Sequence, residues 1–205
     1  MHAAAAALGA ALAPGTLRLL RSDASPLVPA GFVPAGFRFL DSPGFGIRVI
    51  IPSDLATVHA RELARRPGPI DVFADVARRV GSPTGGHPSP GDTDILEVCE
   101  DGTCLGVLRV GTDEVPTTAR LAEAVAMLAL ADVRLCQTLT ALGPATTLRA
   151  TTRPAGGDAA VPGYVLWTGT DRGVLSIQVT AESDEVADAF YGIVLRTLQP
   201  LPARP

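Results

Sequence analysis

The sequence predicts an α+β fold: a mainly antiparallel sheet of about six strands with helices on both faces, in the order β-α-α-β-β-α-β-β-β-α. Three observations predict it. Two hairpin turns, Asp101-Gly102 and Asp171-Arg172-Gly173, each join two short apolar stretches. The stretches beside Asp101-Gly102 are apolar on both faces, which indicates that layers cover both sides of the sheet. The short steps between strands favour antiparallel pairing.

The first half of the domain is predicted to contain one strand and two helices. Residues 45–51 form the strand, and Ser53 is the expected N-cap of a helix over residues 53–66. A second helix is expected over residues 70–80, because its apolar residues share one face. Residues 81–93, rich in Gly, Pro and Ser, are expected to form a long loop.

The strongest local prediction is a hairpin over residues 94–110. With a two-residue turn, Cys99 is expected directly opposite Cys104. Opposed residues at a non-hydrogen-bonded position bring their Cα atoms to about 4.5–5.5 Å, within disulfide range. The pair is a structural disulfide in an oxidising compartment, and two buried thiols or a redox switch in a reducing one.

A long Ala-rich helix is predicted over residues 117–142, ended by Gly143-Pro144. Its leucines recur at alternating spacings of four and three residues, which is typical of a helical apolar face. Asp132 interrupts that face, and an unpaired buried carboxylate is costly. Two interpretations follow: Asp132 lies at the rim of a helix packed on its own sheet, or it sets the register of a helix contact between subunits.

The last third of the chain is predicted to form three strands and a closing helix. The expected strands span residues 146–153, 163–170 and 174–180, and Ser183 caps a helix over residues 184–198.

This hairpin and terminal helix, which ends Phe190-Tyr191-Gly192-Ile193-Val194-Leu195-Arg196-Thr197-Leu198, resembles the PsbP-like α/β/α sandwich proteins. The resemblance extends over residues 45–198 in element order. That group includes photosystem extrinsic subunits and actinobacterial lipoproteins, and the resemblance implies a binding or assembly role without catalysis. The lipid-anchor cysteine of the lipoproteins is missing here.

Two parts of the chain differ in composition. Residues 1–44 form an Ala-rich start and a Pro/Gly/Phe-rich arm, and residues 45–200 form a single α/β domain. Residues 3–13 are a short apolar run that resembles part of a signal peptide, but no Arg precedes it. A cytoplasmic protein with an Ala-rich start is therefore preferred to an exported envelope protein.

Composition narrows the classes of partner. The net charge is −4 over 205 residues, so no nucleic-acid binding is expected. No stretch reaches the ~18–20 uncharged apolar residues of a membrane span, which predicts a soluble protein. All 17 basic residues are Arg and the chain has no Asn, which indicates a GC-rich genome.

No catalytic constellation is recognisable in the sequence. The histidines, His2, His59 and His87, are far apart, and there is no Gly-x-Ser-x-Gly elbow and no phosphate-binding loop. No cofactor, metal or catalytic residue is therefore predicted, and the chain is not expected to be an enzyme.

The sequence predicts instead a module that acts through protein–protein contacts, with a protein partner or with itself. The alternatives are a small-molecule or enzymatic pocket under the 81–93 loop, or an exported envelope protein. The candidate contact residues are the aromatic residues of the arm and two basic clusters: Phe32, Phe37, Phe39, Arg65, Arg66, Arg78 and Arg79.

Overall fold

The computed structural model describes residues 33–58, 96–98, 103–110, 114–126, 128, 130–152 and 160–202. Within these residues the protein is an α+β fold made mostly of antiparallel strands, as the sequence predicts. The strands are β1 (Phe37–Ser42), β2 (Ile47–Pro52), β3 (Ala56–Val58), β4 (Leu96–Val98), β5 (Cys104–Val110), β6 (Ala131–Thr140), β7 (Gly143–Thr152), β8 (Val161–Thr170), β9 (Gly173–Thr180) and β10 (Gln199–Pro200). The helices are α1 (Thr118–Ala126) and α2 (Asp184–Thr197).

The strands form two sheets. The smaller has the order β1-β2-β10, and the larger has seven strands in the order β3-β4-β5-β9-β8-β7-β6. Every described pairing is antiparallel. Neighbouring strands of the β6 to β9 series are also consecutive in the chain, so this half of the large sheet is an antiparallel meander.

Part of the predicted arm is a strand of the small sheet. β1 pairs with β2, and Gly46 begins the return with a φ of 71°, a conformation that glycine adopts at no steric cost. The predicted strand at 45–51 corresponds to β2, which begins two residues later. The predicted domain boundary at residue 45 therefore falls inside the β1–β2 hairpin. The Pro/Gly-rich composition before Phe37 concealed β1.

The predicted helix over 53–66 is wrong at its start, because residues 56–58 form β3 and pair with β4. Thr57 and Val58 are β-branched and fit a pleated strand better than a helix. The predicted helix at 70–80 and loop at 81–93 lie outside the described residues.

The hairpin predicted over 94–110 is present as β4 and β5, but its expected register is off by one residue. Cys104 lies opposite Val98 in the ladder, and Glu97 lies opposite Leu105. A one-residue change in register alters which side chains are opposed along the whole hairpin. Cys99 lies outside the described residues, so its disulfide with Cys104 stays a prediction.

The long helix predicted over 117–142 is wrong in its second half. α1 ends at Ala126, and Ala131–Thr140 is a ten-residue strand that pairs with β7 through a tight turn before Gly143. Helix propensity is a weak prior, and ladder pairing along a hairpin outweighs it. Asp132 is exposed at the start of β6 with a φ of 53°, beside an irregularity in the ladder, and so belongs to no helical seam.

Both faces of the large sheet are covered. On one face, α2 and the small sheet enclose a core that includes Ile47, Phe190 and Val194. On the other face, α1 packs against Leu148, Val165 and Trp167 through its buried residues Leu121 and Val125. α2 begins as predicted, since the Ser183 hydroxyl accepts a hydrogen bond from the Val186 N–H at 3.4 Å.

Candidate protein-interaction edge

The large sheet ends in a long exposed strand. Among the described strands β6 pairs with β7 alone, so its other side is an open edge, which we call the β6 edge. Seven of its ten residues are exposed and two are half-buried. The strand at the opposite end of this sheet, β3, has only three residues. The β6 edge therefore offers much the longer row of backbone groups.

The hydrogen-bonding phase of β6 follows from Pro144. Pro144 lies opposite Leu139 in the β6–β7 ladder. Proline has no N–H, so this pair cannot be one that exchanges two backbone hydrogen bonds. Such pairs alternate along an antiparallel ladder. Residues 134, 136, 138 and 140 therefore direct their N–H and C=O groups towards β7, and residues 135, 137 and 139 direct theirs out of the β6 edge.

From Leu135 onward, the side chains of the β6 edge lack the usual protection against strand pairing. Natural edge strands are protected by charges, proline, bulges or short length. No charged residue occurs from Leu135 to Leu148, and the side chain of Leu139 is 69% exposed. Val133 is also exposed, at 39%. The one irregularity in the ladder lies between Ala131 and Arg134, at the beginning of the strand.

A network of polar and aromatic contacts holds β7 and β8 against α2 beside this edge. The Tyr191 and Thr147 hydroxyls lie 2.7 Å apart, and the rings of Tyr191 and Tyr164 stack with centroids 4.1 Å apart. The Tyr164 hydroxyl donates to Asp188 at 2.5 Å, and Arg149 forms ion pairs with Asp184 and Asp188. Cys136 of β6 lies opposite Thr147 of β7, so the network holds in place the strand that pairs with β6.

Burial within this network changes the acidity of both tyrosines. Burial raises the pKa of Tyr164 to about 12, and the hydrogen bond to the Asp188 carboxylate adds to the effect. Burial also raises the pKa of Tyr191 well above its ordinary value. In both cases the fold favours the neutral phenol.

We therefore expect neither tyrosine to ionise near pH 10 while the protein is folded. Because the folded pKa exceeds the unfolded one, the stabilisation is complete below about pH 10 and is lost as the pH rises towards 12. Absorbance at 295 nm measures tyrosinate directly, and the chain has only two tyrosines. Y164F isolates Tyr191. A full tyrosinate signal with a midpoint near pH 10 in protein that retains its native circular dichroism would refute this prediction.

Two of the predicted contact residues, Phe37 and Phe39, lie in the described part of the chain, both in β1. Phe37 is buried at 7% exposure, and Phe39 is half-buried with the Arg48 guanidinium 4.6 Å from its ring centroid. Cys104 is buried in β5. The remaining candidates lie outside the described residues: Phe32, Arg65, Arg66, Arg78, Arg79 and Cys99.

The sequence pattern predicts a helix over residues 131–140 and so gives no indication of the β6 edge. A signal was present: Val133, Thr138 and Thr140 are β-branched, and a Gly-Pro turn follows them. The leucine spacing outweighed it.

Two classes of site are not seen in the described part of the chain. No group of three or more His, Cys, Asp or Glu side chains there is placed to hold a metal ion. Neither described helix is long and apolar enough to cross a membrane. The three histidines and the pocket predicted under residues 81–93 lie outside the described ranges.

Comparisons with known proteins find similarity among solved structures. No family model matches the sequence, and no curated protein matches it. Among solved structures, the chain is similar to the solution structure of cyanobacterial PsbP (CyanoP) from Synechocystis sp. PCC 6803, at 14% identity and a TM-score of 0.45. The match covers 87% of this chain and 99% of that one. A likeness at this level concerns the overall fold and says nothing about function.

Proposed function

We propose that this protein is a non-catalytic binding module that takes an extended segment of a protein partner onto the β6 edge. The observation that supports the proposal is the exposure of a ten-residue edge strand with no charge from Leu135 onward. Strand addition is a common mode of peptide recognition, in which backbone hydrogen bonds give affinity and alternate side chains give specificity.

The chemistry of the edge defines the segment that would fit it. Residues 135, 137 and 139 offer outward N–H and C=O groups, so the segment must be extended and free of proline at the matching positions. An apolar side chain opposite the exposed Leu139 would stabilise the pairing, since such cross-strand pairs contribute about 0.2–1 kcal/mol each to the stability of a sheet. The affinity thus rests on backbone pairing with a few apolar contacts.

Contacts within the protein also order the β6 edge before a partner binds. The Thr147–Tyr191 contact and the ion pairs of Arg149 order β7, and β6 is paired with β7 along most of its length. A strand that is already ordered loses little conformational entropy when a partner pairs with it.

This proposal places the contact surface on β6 and away from the aromatic arm. Phe37 offers little surface to a partner, because its side chain is only 7% exposed. The roles of Phe32 and of the basic clusters around Arg65 and Arg78 stay predictions.

Replacing Gln137 tests the proposal. Q137P removes an outward N–H, blocks strand addition and is compatible with an edge strand, whereas Q137A keeps that N–H and is the matched control. With each protein as bait in an extract of the source cells, we expect a partner that wild type and Q137A retain and Q137P loses.

The retained partner is then purified and recombined with wild-type protein. Hydrogen exchange at the amides of residues 135, 137 and 139 is expected to slow by about tenfold or more in the complex. The proposal fails if Q137P retains every partner that Q137A retains, or if these amides exchange equally fast in the free protein and in the complex.

A further inference from the structure

We infer that the segment bound at the β6 edge is β6 of a second copy of this chain, paired antiparallel about a twofold axis at Cys136. This inference rests on the proposed function, because it names the occupant of the same edge. Twofold symmetric pairing is the commonest form of self-association, and it requires a surface that is complementary to itself.

The backbone of β6 meets that requirement. Around an axis at Cys136, each residue i lies opposite residue 272 − i of the partner, so Leu135 faces Gln137 of the partner subunit. Both of these residues direct their backbone groups outward, so they form a hydrogen-bonded pair. The overlap spans residues 132–140, and its regular part is residues 134–138, because the ladder is irregular before Arg134 and Asp132 has a φ of 53°. Cys136 then meets its own copy at a non-hydrogen-bonded position.

The side chains also agree with this register. The two exposed large apolar residues face each other twice, Val133 with the partner's Leu139 and Leu139 with the partner's Val133. Val133 lies within the bulge between Ala131 and Arg134, so these two pairs flank the regular part of the ladder. Burying both residues removes from water the large apolar side chains that the described surface exposes.

The charges are compatible with this register. Arg134 faces the polar Thr138 of the partner subunit, and the two Arg134 side chains lie about 14 Å apart along the strands. That distance exceeds the Debye length of about 8 Å at physiological ionic strength, so their repulsion is screened. A register centred on Arg134 would oppose the two guanidinium groups directly, and like charges opposite each other destabilise a sheet.

An acidic partner peptide is the competing occupant. Arg134 forms no ion pair with another described residue, so its guanidinium is available to bind a carboxylate across the edge. We favour the second copy because β6 can pair with itself without any other part of a partner. Its uncharged centre, its apolar ends and its hydrogen-bonding phase are each matched by the same features of a second β6.

Light scattering after size exclusion tests the inference with the full chain. Over about 1 μM to 1 mM, the range of weak interfaces, we expect the mass of wild type and Q137A to double and that of Q137P to stay that of a monomer. C136S should dimerise like wild type, because Cys136 supplies no backbone hydrogen bond to this interface.

The register is tested by oxidation. Opposed residues at a non-hydrogen-bonded position have Cα atoms about 4.5 Å apart, within disulfide range. Two Cys136 thiols then lose two protons and two electrons, which reduce one molecule of added oxidised glutathione to two of reduced glutathione. We expect a covalent dimer with wild type and none with C136S. A mixture of R134C/C136S and T138C/C136S should also cross-link.

Three results would overturn the inference: a monomer at every concentration, dimerisation that Q137P retains, or cross-linking that C136S retains. If the chain is monomeric but another protein slows exchange at residues 135, 137 and 139, the second copy is excluded and the binding edge stands. If an acidic peptide does so and R134Q abolishes its binding, that peptide is the occupant. If nothing slows exchange at these amides, both proposals fail.

Discussion

Replacing Phe190 with alanine is expected to lower the free energy of unfolding by about 3–5 kcal/mol. Phe190 is fully buried in the core that α2 shares with both sheets. The substitution removes a ring from the core that α2 forms with residues of both sheets, and the cavity closes only in part because hydrogen-bonded sheets relax little. The loss is a large part of the 5–15 kcal/mol that holds a typical domain folded.

Urea unfolding followed by Trp167 fluorescence measures this effect, because Trp167 is the only tryptophan and is fully buried. The midpoint should fall with an unchanged slope, as expected for lost stability without a change in the surface exposed. F190L is the matched control, since it retains most of the apolar volume and should lose much less. A loss below about 1 kcal/mol for F190A would show that α2 does not join the two sheets in one core.

The part of the fold built from local signals was predictable from the sequence. The strands expected at 163–170 and 174–180 are β8 and β9, and the helix expected at 184–198 is α2. A glycine at the hairpin return and a serine cap at the helix start specify these elements through neighbouring residues alone. Gly173 has a φ of 109°, and the Ser183 hydroxyl accepts the Val186 N–H.

The candidate site was not predictable in the same way. The leucines from Leu121 to Leu142 fit a helical period as well as they fit a helix followed by a hairpin. Pairing with β7 decides between the two, and the free energy of that pairing cannot be read from the residues of β6 alone. That β6 lies at an edge depends on the order of seven strands in the sheet, which is a property of the whole chain.

The register of β4 and β5 shows the same limit at a smaller scale. The Asp101-Gly102 signal correctly indicates a hairpin, but the strands settle with Cys104 opposite Val98. β5 also pairs with β9, where Cys104 lies opposite Thr180. A strand between two neighbours adopts the register that suits both neighbouring strands, so turn length alone does not fix its register.

Replacing Thr197 with valine is expected to lower the free energy of unfolding by about 1–3 kcal/mol, although the two side chains have nearly the same shape. The buried Thr197 hydroxyl accepts the Ile50 N–H at 3.1 Å and donates to the Ile193 carbonyl at 2.8 Å. Ile50 belongs to β2, so this hydroxyl satisfies a buried backbone donor of the small sheet from the last turn of α2. Valine leaves that donor with no acceptor in a dry core.

T197S separates the hydrogen bond from the packing. Serine keeps the hydroxyl and loses one methyl group, so it should cost no more than about 0.8 kcal/mol. The readout is urea unfolding together with exchange of the Ile50 amide, which should accelerate in T197V and stay slow in T197S. If T197V is as stable as wild type and the Ile50 amide stays protected, the small sheet does not depend on α2 for its hydrogen bonding. Its attachment to the domain must then come from apolar packing, which F190A measures independently.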